Sequence, residues 1–195
     1  MLAKPGKKTV RKEAETCHIR RRFLQIGLGA TASLAMPNAF AGVIKQPERS
    51  IALLNLHTGE QVKATYWAEG QYQPDELSAI HRVLRDHRTG DIHDIDSDLI
   101  DMLNLLHQQM HGKQPFHVIS GYRSPKTNTM LSKNSSGVAK KSLHMQGRAI
   151  DIRLPGRELS ALRKTAQQMK VGGVGFYPGS DFIHVDTGRV RSWQG

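Results

Sequence analysis

The segment Ser142–Ile152, SLHMQGRAIDI, contains a histidine and an aspartate seven positions apart. Gly147 permits a turn after His144, and the alternation in AIDI places Asp151 on one face of a strand with apolar neighbours on the other. A carboxylate in the middle of a short strand is costly to bury unless an arginine or a metal ion pairs with it. The segment therefore indicates either a polar turn leading into a strand or part of a metal site.

A second strand candidate, DFIHVDTG, contributes a further potential ligand. His184 lies thirty-three residues after Asp151, between apolar neighbours. Imidazole and carboxylate groups are common zinc ligands, and a catalytic zinc ion usually has three protein ligands and one open position. Two histidines and one aspartate meet that count. Strand histidines are more often core or hydrogen-bonded residues, so residue chemistry alone leaves both interpretations open.

Several segments of the chain resemble the zinc D-Ala-D-Ala peptidase superfamily, which includes the lysostaphin-like endopeptidases and the Sonic hedgehog signalling domain. The superfamily has an S-x-H-x-x-G-x-A-x-D signature, which this chain matches with Ser142, His144, Gly147, Ala149 and Asp151. Together, NLHTGE, SGYRS, GVAKKSLH, GGVGFYP and HVDTG look like the murein endopeptidase K group. The third ligand in the superfamily is a histidine near the end of the domain, which His184 matches. The resemblance implies zinc ligation by His144, Asp151 and His184.

The resemblance also suggests residues for substrate binding and proton transfer. Arg123 in GYRS matches an arginine that the family uses against substrate, although it can instead be a structural partner of Asp151 or another acid. Asp181 precedes His184 by three residues, as the acid/base carboxylate does in several family carboxypeptidases. It is favoured as the general base, but its place after Pro-Gly-Ser also suits a turn residue. Asp186 is the alternative base, or an acceptor that orients a ligand histidine.

Residues 1–41 have the composition of an export signal. Eight Lys/Arg and two Glu precede an apolar run that closes on Ala-Phe-Ala at 39–41, as in secretory signal peptides. The Arg20-Arg21-x-Phe23-Leu24 pattern is typical of twin-arginine export. The apolar run is shorter than the roughly 20 strongly apolar residues of a spanning helix. We therefore expect cleavage near Ala41/Gly42, a periplasmic product and no stable membrane span.

Removing residues 1–41 lowers the formal net charge from +11 to +5. Nucleic-acid binding loses most of its apparent support, because most of the basic excess lies in the signal. The single cysteine, Cys17, also lies there, so the remaining chain has no disulfide and no thiolate ligand. Residues 42–195 are expected to form one zinc peptidase domain, and nothing in them demands more than a monomer.

Periodicity predicts an α+β domain. Strand candidates are 51–56, 62–67 and the segments FHVIS, RAIDIRL, GVGFYP and DFIHVDTG. Helices are predicted from Pro74, from Asp96 or Ser97, and over ELSALRKTAQQMK, with one short helix inside the loop 121–142. The predicted arrangement has helices mostly in the first half, packed on a small antiparallel sheet that carries the zinc site.

The resemblance implies an exported, zinc-dependent murein endopeptidase that hydrolyses stem-peptide cross-links, including meso-diaminopimelate 3–3 bridges. Its partner would then be the peptidoglycan stem peptide. Two alternatives stay open at this point. One is a D,D-carboxypeptidase acting on the same polymer. The other is a non-catalytic zinc domain that binds the wall, as hedgehog-type domains keep their metal while acting in signalling.

Overall fold

The computed structural model of the chain describes residues 47–134 and 137–195. Within these ranges the strands are β1 (Arg49–Asn55), β2 (Gln61–Ala68), β3 (Gln71–Tyr72), β4 (Phe116–Ser120), β5 (Ala149–Arg153), β6 (Gly173–Tyr177), β7 (Phe182–Asp186) and β8 (Arg191–Gln194). The helices are α1 (Pro74–Val83), α2 (Ser97–Gln109), α3 (Pro125–Asn134) and α4 (Leu159–Met169). None of the helices in this part of the chain is long and apolar enough to cross a membrane. The signal peptide predicted for residues 1–41 lies outside the described residues.

All eight strands belong to one sheet with the order β3-β2-β1-β4-β5-β7-β6-β8. Most neighbours are antiparallel, but β1 pairs with β4 and β6 pairs with β8 in parallel. Strands β4, β5 and β7 therefore lie side by side in the middle of the sheet, although the segments between them contain two helices. The α+β class predicted from the sequence is confirmed.

Helices α1, α2 and α4 pack on one face of the sheet and leave part of the other face for a site. Ile150 and Ile152 of β5 belong to the hydrophobic core, together with Leu103 of α2 and Leu162 of α4. Full burial of side chains of this size is worth roughly 2 kcal/mol each. Since successive side chains of a strand point to opposite faces, Asp151 points away from this core.

The distribution of elements differs from the prediction. Two helices precede β4 and two follow it, so a concentration of helices in the first half is not confirmed. The sheet is also larger than predicted, because β1, β2 and β3 belong to it. Helix α3 has a weak apolar pattern in the sequence, but the Ser124 hydroxyl caps it by accepting a hydrogen bond from the Thr127 N–H at 3.2 Å.

Candidate metal centre

A short 3₁₀ turn, Leu143–Gln146, places His144 on the side of the sheet to which Asp151 points. The Ser142 hydroxyl accepts the His144 backbone N–H at 3.3 Å, and Gly147 ends the turn at φ 65°. A side-chain carbon at Gly147 would also collide with the Asp94 carbonyl oxygen. Glycine is therefore required here by both conformation and space. The Ser142 cap and the glycine explain why this segment leads His144 directly into β5.

Each imidazole is fixed by a hydrogen bond on the ring nitrogen that faces away from the centre. His144 Nδ1 donates to the Gly121 carbonyl oxygen at 2.7 Å, because a carbonyl can only accept. His184 Nε2 donates to Asp186 Oδ2 at 3.0 Å. His144 Nε2 and His184 Nδ1 are thereby turned towards Asp151, which pairs with His184 across β5 and β7. Such outer hydrogen bonds select the tautomer that metal-binding histidines need.

The three groups converge within hydrogen-bond distance of one another. Nε2 of His144 is 3.2 Å from Nδ1 of His184 and 3.3 Å from Oδ1 of Asp151, and the last two atoms are 2.9 Å apart. Ligand atoms bound tetrahedrally to an ion such as zinc at 2.0–2.2 Å lie roughly 3.3–3.6 Å from one another, so binding an ion would spread these atoms slightly. Within the described residues, this is the one group of three or more His, Cys, Asp or Glu side chains arranged to hold a metal ion. The donor set therefore suits a metal ion.

Without a metal ion, a proton holds the same three groups together. Burial opposes the charged form of His184, but its contacts with the Asp151 and Asp186 carboxylates raise its pKa to about 9. Burial lowers the pKa of His144, which is neutral. Burial also opposes ionisation of Asp151, yet the two histidines hold the pKa of its carboxyl well below its usual range. The centre thus consists of the anionic Asp151 carboxylate and two imidazoles. Of these, His184 is the one that holds a proton when no metal ion is bound.

Arg123 lies beside the centre and lines its cleft. Its Nη2 is 3.5 Å from Asp151 Oδ2, the carboxylate oxygen that faces away from the two histidines. Its backbone N–H donates to the His144 carbonyl oxygen at 3.2 Å. Burial lowers the pKa of this guanidinium, although Asp151 opposes that effect. The structural pairing with Asp151 is present, and contact with substrate stays a prediction.

Asp186 is fully buried beneath His184. Besides His184, its carboxylate accepts hydrogen bonds from the backbone N–H groups of Gly173 (3.0 Å) and Gly188 (2.8 Å). The Arg191 guanidinium also donates to both of its oxygens, at 3.1 and 2.7 Å. Burial opposes its ionisation, but these donors hold the pKa of Asp186 well below its usual range. This geometry is that of an acceptor that orients a ligand histidine, the alternative role considered for this residue.

Asp181 lies apart from the centre, in the turn between β6 and β7. Its backbone has a φ of 54°, and its side chain is 61% exposed. Its Oδ2 accepts a hydrogen bond from Arg153 Nη1 at 2.7 Å. Asp181 does not line the cleft above the metal group, so the structure does not bring it together with His144, Asp151 and His184. Its role as a general base stays a prediction.

An open cleft of about 420 Å³ leads to His144, Asp151 and His184, and one wall of it is aromatic. Trp193 Nε1 donates to the Tyr177 hydroxyl at 2.8 Å, and the Tyr177 and Phe182 rings stack at 4.7 Å. The Trp193 ring lies 5.2 Å from the His184 ring, centroid to centroid. The cleft therefore has space for a peptide chain above the centre.

Sequence reasoning assigned no role to Arg191 and Trp193. Both reach the site because β8 pairs with β6, at Gly173–Arg191 and Gly175–Trp193. This pairing is long-range, and β8 has no strong periodicity of its own. The available signal was the spacing of Gly173 and Gly175, since alternate glycines on one strand face leave space for side chains from a neighbouring strand.

A buried His-Asp-His group below an open cleft has the three-ligand arrangement of a catalytic metal site, in which one position stays open. The chain belongs to the Peptidase_M15_2 family, described as Peptidoglycan L,D-endopeptidase MepK, whose profile matches residues 44–193. The resemblance inferred from the sequence motifs is thereby confirmed.

Similar proteins carry the same description. Peptidoglycan L,D-endopeptidase MepK of Escherichia coli strain K12 is 42% identical over 175 residues, which cover 89% of this chain and 96% of the relative. The protein of that name from Shigella flexneri has the same identity and coverage. The probable peptidoglycan L,D-endopeptidase MepK of Haemophilus influenzae is 35% identical over 178 residues, covering 90% of this chain and 96% of the relative.

Proposed function

We propose that this protein is an exported, zinc-dependent peptidoglycan endopeptidase that hydrolyses stem-peptide cross-links in the periplasm, including meso-diaminopimelate 3–3 bridges. The observation that carries the proposal is the convergence of His144, Asp151 and His184 below an open cleft. The names of the family and of its similar members support the substrate class. The twin-arginine pattern at residues 20–24 supports the export route.

His144, Asp151 and His184 would hold the zinc ion. When bound, zinc would polarise the scissile carbonyl and make an attacking water available at neutral pH. Gly121 and Asp186 keep the two imidazoles in the tautomers that leave a lone pair facing Asp151. These residues define the centre before substrate arrives, which is what a site of this class requires.

Arg123 would contribute electrostatics on the substrate side of the centre. Its guanidinium has five N–H donors, and the described contacts are Nη2 to Ser120 Oγ at 3.3 Å and the ion pair with Asp151. Arg123 also lines the cleft. A partly buried guanidinium in this position would bind an anionic group of the peptide stem more strongly than an exposed one.

Proton transfer requires an acceptor within hydrogen-bond reach of the water and of the leaving amine. In this proposal Asp186 orients His184 and does not transfer protons to substrate, because its side chain is buried and its hydrogen-bond donors are all protein groups. We assign proton transfer to Asp181, which requires its exposed carboxylate to leave Arg153 and to move into the cleft when substrate binds. Replacing Asp181 by Ala should then lower kcat while zinc stays bound. Full activity of that variant would place the general base elsewhere.

Digestion of purified sacculi, with muropeptides resolved by mass, tests the function. The wild type should remove cross-linked dimers, and His144→Ala should lose both stoichiometric zinc and activity. His111→Asn is a matched control, because this histidine is exposed and its φ of 48° suits asparagine.

Other outcomes of the same digestion identify the alternatives. Loss of only terminal D-Ala would establish a D,D-carboxypeptidase. A zinc-loaded wild type that binds sacculi without cleaving them would establish a wall-binding module. A His144→Ala variant that keeps full zinc and full activity would refute the centre itself.

A further inference from the structure

A second pocket, of about 270 Å³, lies on the sheet face that carries the metal centre. It is lined by His117 of β4, Arg153 of β5, Arg157 in the following loop, and Asp181. Arg153 follows Asp151 by two residues on the same strand, so both side chains point to one face with their Cα atoms roughly 7 Å apart. His117 and Arg153 are direct partners across β4 and β5. The pocket therefore adjoins the metal centre along the β5 strand.

The pocket is cationic. Its lining includes the two guanidinium groups of Arg153 and Arg157 and the single carboxylate of Asp181. Arg153 donates one N–H to Asp181 at 2.7 Å, and Arg157 donates one to the His111 carbonyl oxygen at 2.6 Å. Each guanidinium has five N–H donors in a planar fork, so most of their capacity is left for a ligand.

His117 lines the pocket and carries an unpaired polar atom. Its Nδ1 is buried and has no hydrogen-bond partner within the described residues. Burial, followed by the charge of Arg153, lowers the pKa of His117, so the ring is neutral and can donate one hydrogen bond without adding charge. Buried polar atoms in native proteins are almost always paired, and rotation of this imidazole beside Arg153 would bring the unpaired nitrogen to a polar ligand in the pocket.

We propose that His117, Arg153 and Arg157 form a carboxylate-binding subsite for the peptide strand that lies across the metal centre. Guanidinium forks bind carboxylates through two parallel hydrogen bonds, which gives both affinity and orientation. An extended peptide advances about 3.3 Å per residue, so the carboxylate belongs to a residue about two positions from the scissile bond. The proposal rests on the peptidase function proposed above and names a second contact that fixes where the strand is cut.

The test compares Arg153→Ala with wild type on a purified cross-linked muropeptide dimer. The variant should raise KM roughly tenfold and leave zinc content unchanged, because it removes a contact made equally in ground and transition states. Arg153→Lys should recover part of the loss. A dimer with its carboxyl groups converted to amides should be a poor substrate for the wild type and should show no further effect of Arg153→Ala.

Arg163→Ala is the matched control. Its guanidinium lies over the Phe176 ring at 4.7 Å, on helix α4 and away from the metal centre, and its loss should leave KM unchanged. An unchanged KM in Arg153→Ala would overturn the subsite. A fall in kcat at unchanged KM would also overturn it, since Arg153 would then act through Asp181.

Equilibrium binding separates this proposal from the proposed function. Affinity of the dimer for His144→Ala should fall roughly tenfold when Arg153→Ala is added to that variant. This result would support the subsite even if the wild type failed to cleave the dimer, a failure that would refute only the peptidase function. Equal affinity of the single and double variants would overturn the subsite whatever the cleavage assay shows.

Discussion

His184 is held by a carboxylate on each side of its ring. Asp151 faces Nδ1 at 2.9 Å and Asp186 faces Nε2 at 3.0 Å. Asp151 belongs to the centre, where a cation or a proton binds. Asp186 lies on the other side of the ring and fixes its orientation. Two acids around one imidazole explain both the affinity of this ring for a proton and its suitability as a ligand.

Zinc affinity should depend on pH through His184. Its pKa of about 9 lies above the ordinary 6.5, so in the metal-free protein the ring is protonated below pH 9 and must lose that proton when zinc binds. The apparent dissociation constant should fall roughly tenfold per pH unit between about pH 6.5 and 9, and level off above. Competition with a chelating dye measures it. A dissociation constant that is flat across this range would contradict the assignment.

Asp186→Asn should weaken the metal centre without unfolding the domain. The amide keeps the shape but loses the charge that holds the His184 N–H and the Arg191 guanidinium. Losses of this kind typically reduce metal affinity 10- to 100-fold. Chelator competition on the folded variant gives the value, with Asp98→Asn at the exposed start of α2 as the control. Zinc affinity equal to that of the wild type would show that Asp186 has no orienting role.

Sequence reasoning identified the converging residues but not all their contacts. The alternation around Asp151 and His184 predicts that both point to one sheet face, and register across β5 and β7 brings them together. The position of Asp181 could not be predicted, because a left-handed backbone and the pairing with Arg153 decide where its carboxylate lies. Arg191 depends on a strand pairing that local patterns do not encode.

At the scale of elements, the contact between β6 and β8 leaves little space for change near the site. Trp193 of β8 packs directly over Gly175 of β6, so that an added methyl group would lie 2.6 Å from the indole Cε2. The pairing of β6 with β8 therefore depends on the absence of a side chain at Gly175. The position of the Trp193 ring beside His184 depends on it as well.

Gly175→Ala should displace Trp193 and destabilise the domain. Overpacking of this kind costs about 1–3 kcal/mol, and the cleft wall should shift with it. Thermal unfolding and the rate of dimer cleavage measure the two effects. Gly179→Ala is the control, because nothing lies within 4 Å of the position of its added carbon. Equal stability of both variants would show that β8 is not packed against β6 in this way.

The helices differ in how clearly the sequence predicts them. Helix α2 follows from its capping aspartate and its apolar spacing, and the structure shows the Asp96 carboxylate accepting the Asp98 N–H at 3.1 Å. Helix α3 lies in a segment whose composition is typical of a loop. It is secured by its tertiary contacts instead, including hydrogen bonds from Asn128 to the Ala139 and Lys140 carbonyl oxygens. The hydrophobic periodicity of the sequence does not reveal such contacts.

At the scale of the whole molecule, residues 1–41 are proposed to direct export. Changing Arg20 and Arg21 to lysine should abolish export of the full chain, because the twin-arginine route reads this pair rather than its charge. Cell fractionation followed by detection of the cleaved and uncleaved forms measures it. Arg11→Lys is the control and should leave export unchanged. Export that persists in the twin-lysine variant would indicate a different route.

The position of β8 gives the metal centre a support that comes from outside the strands that carry its ligands. Strand β8 pairs with β6 rather than with β5 or β7. It nevertheless supplies the Arg191 guanidinium that holds Asp186 and the indole that covers one side of His184. A change that unpairs β8 should therefore loosen His184 while β5 and β7 stay paired, and weaken the centre without altering any of its three ligand side chains.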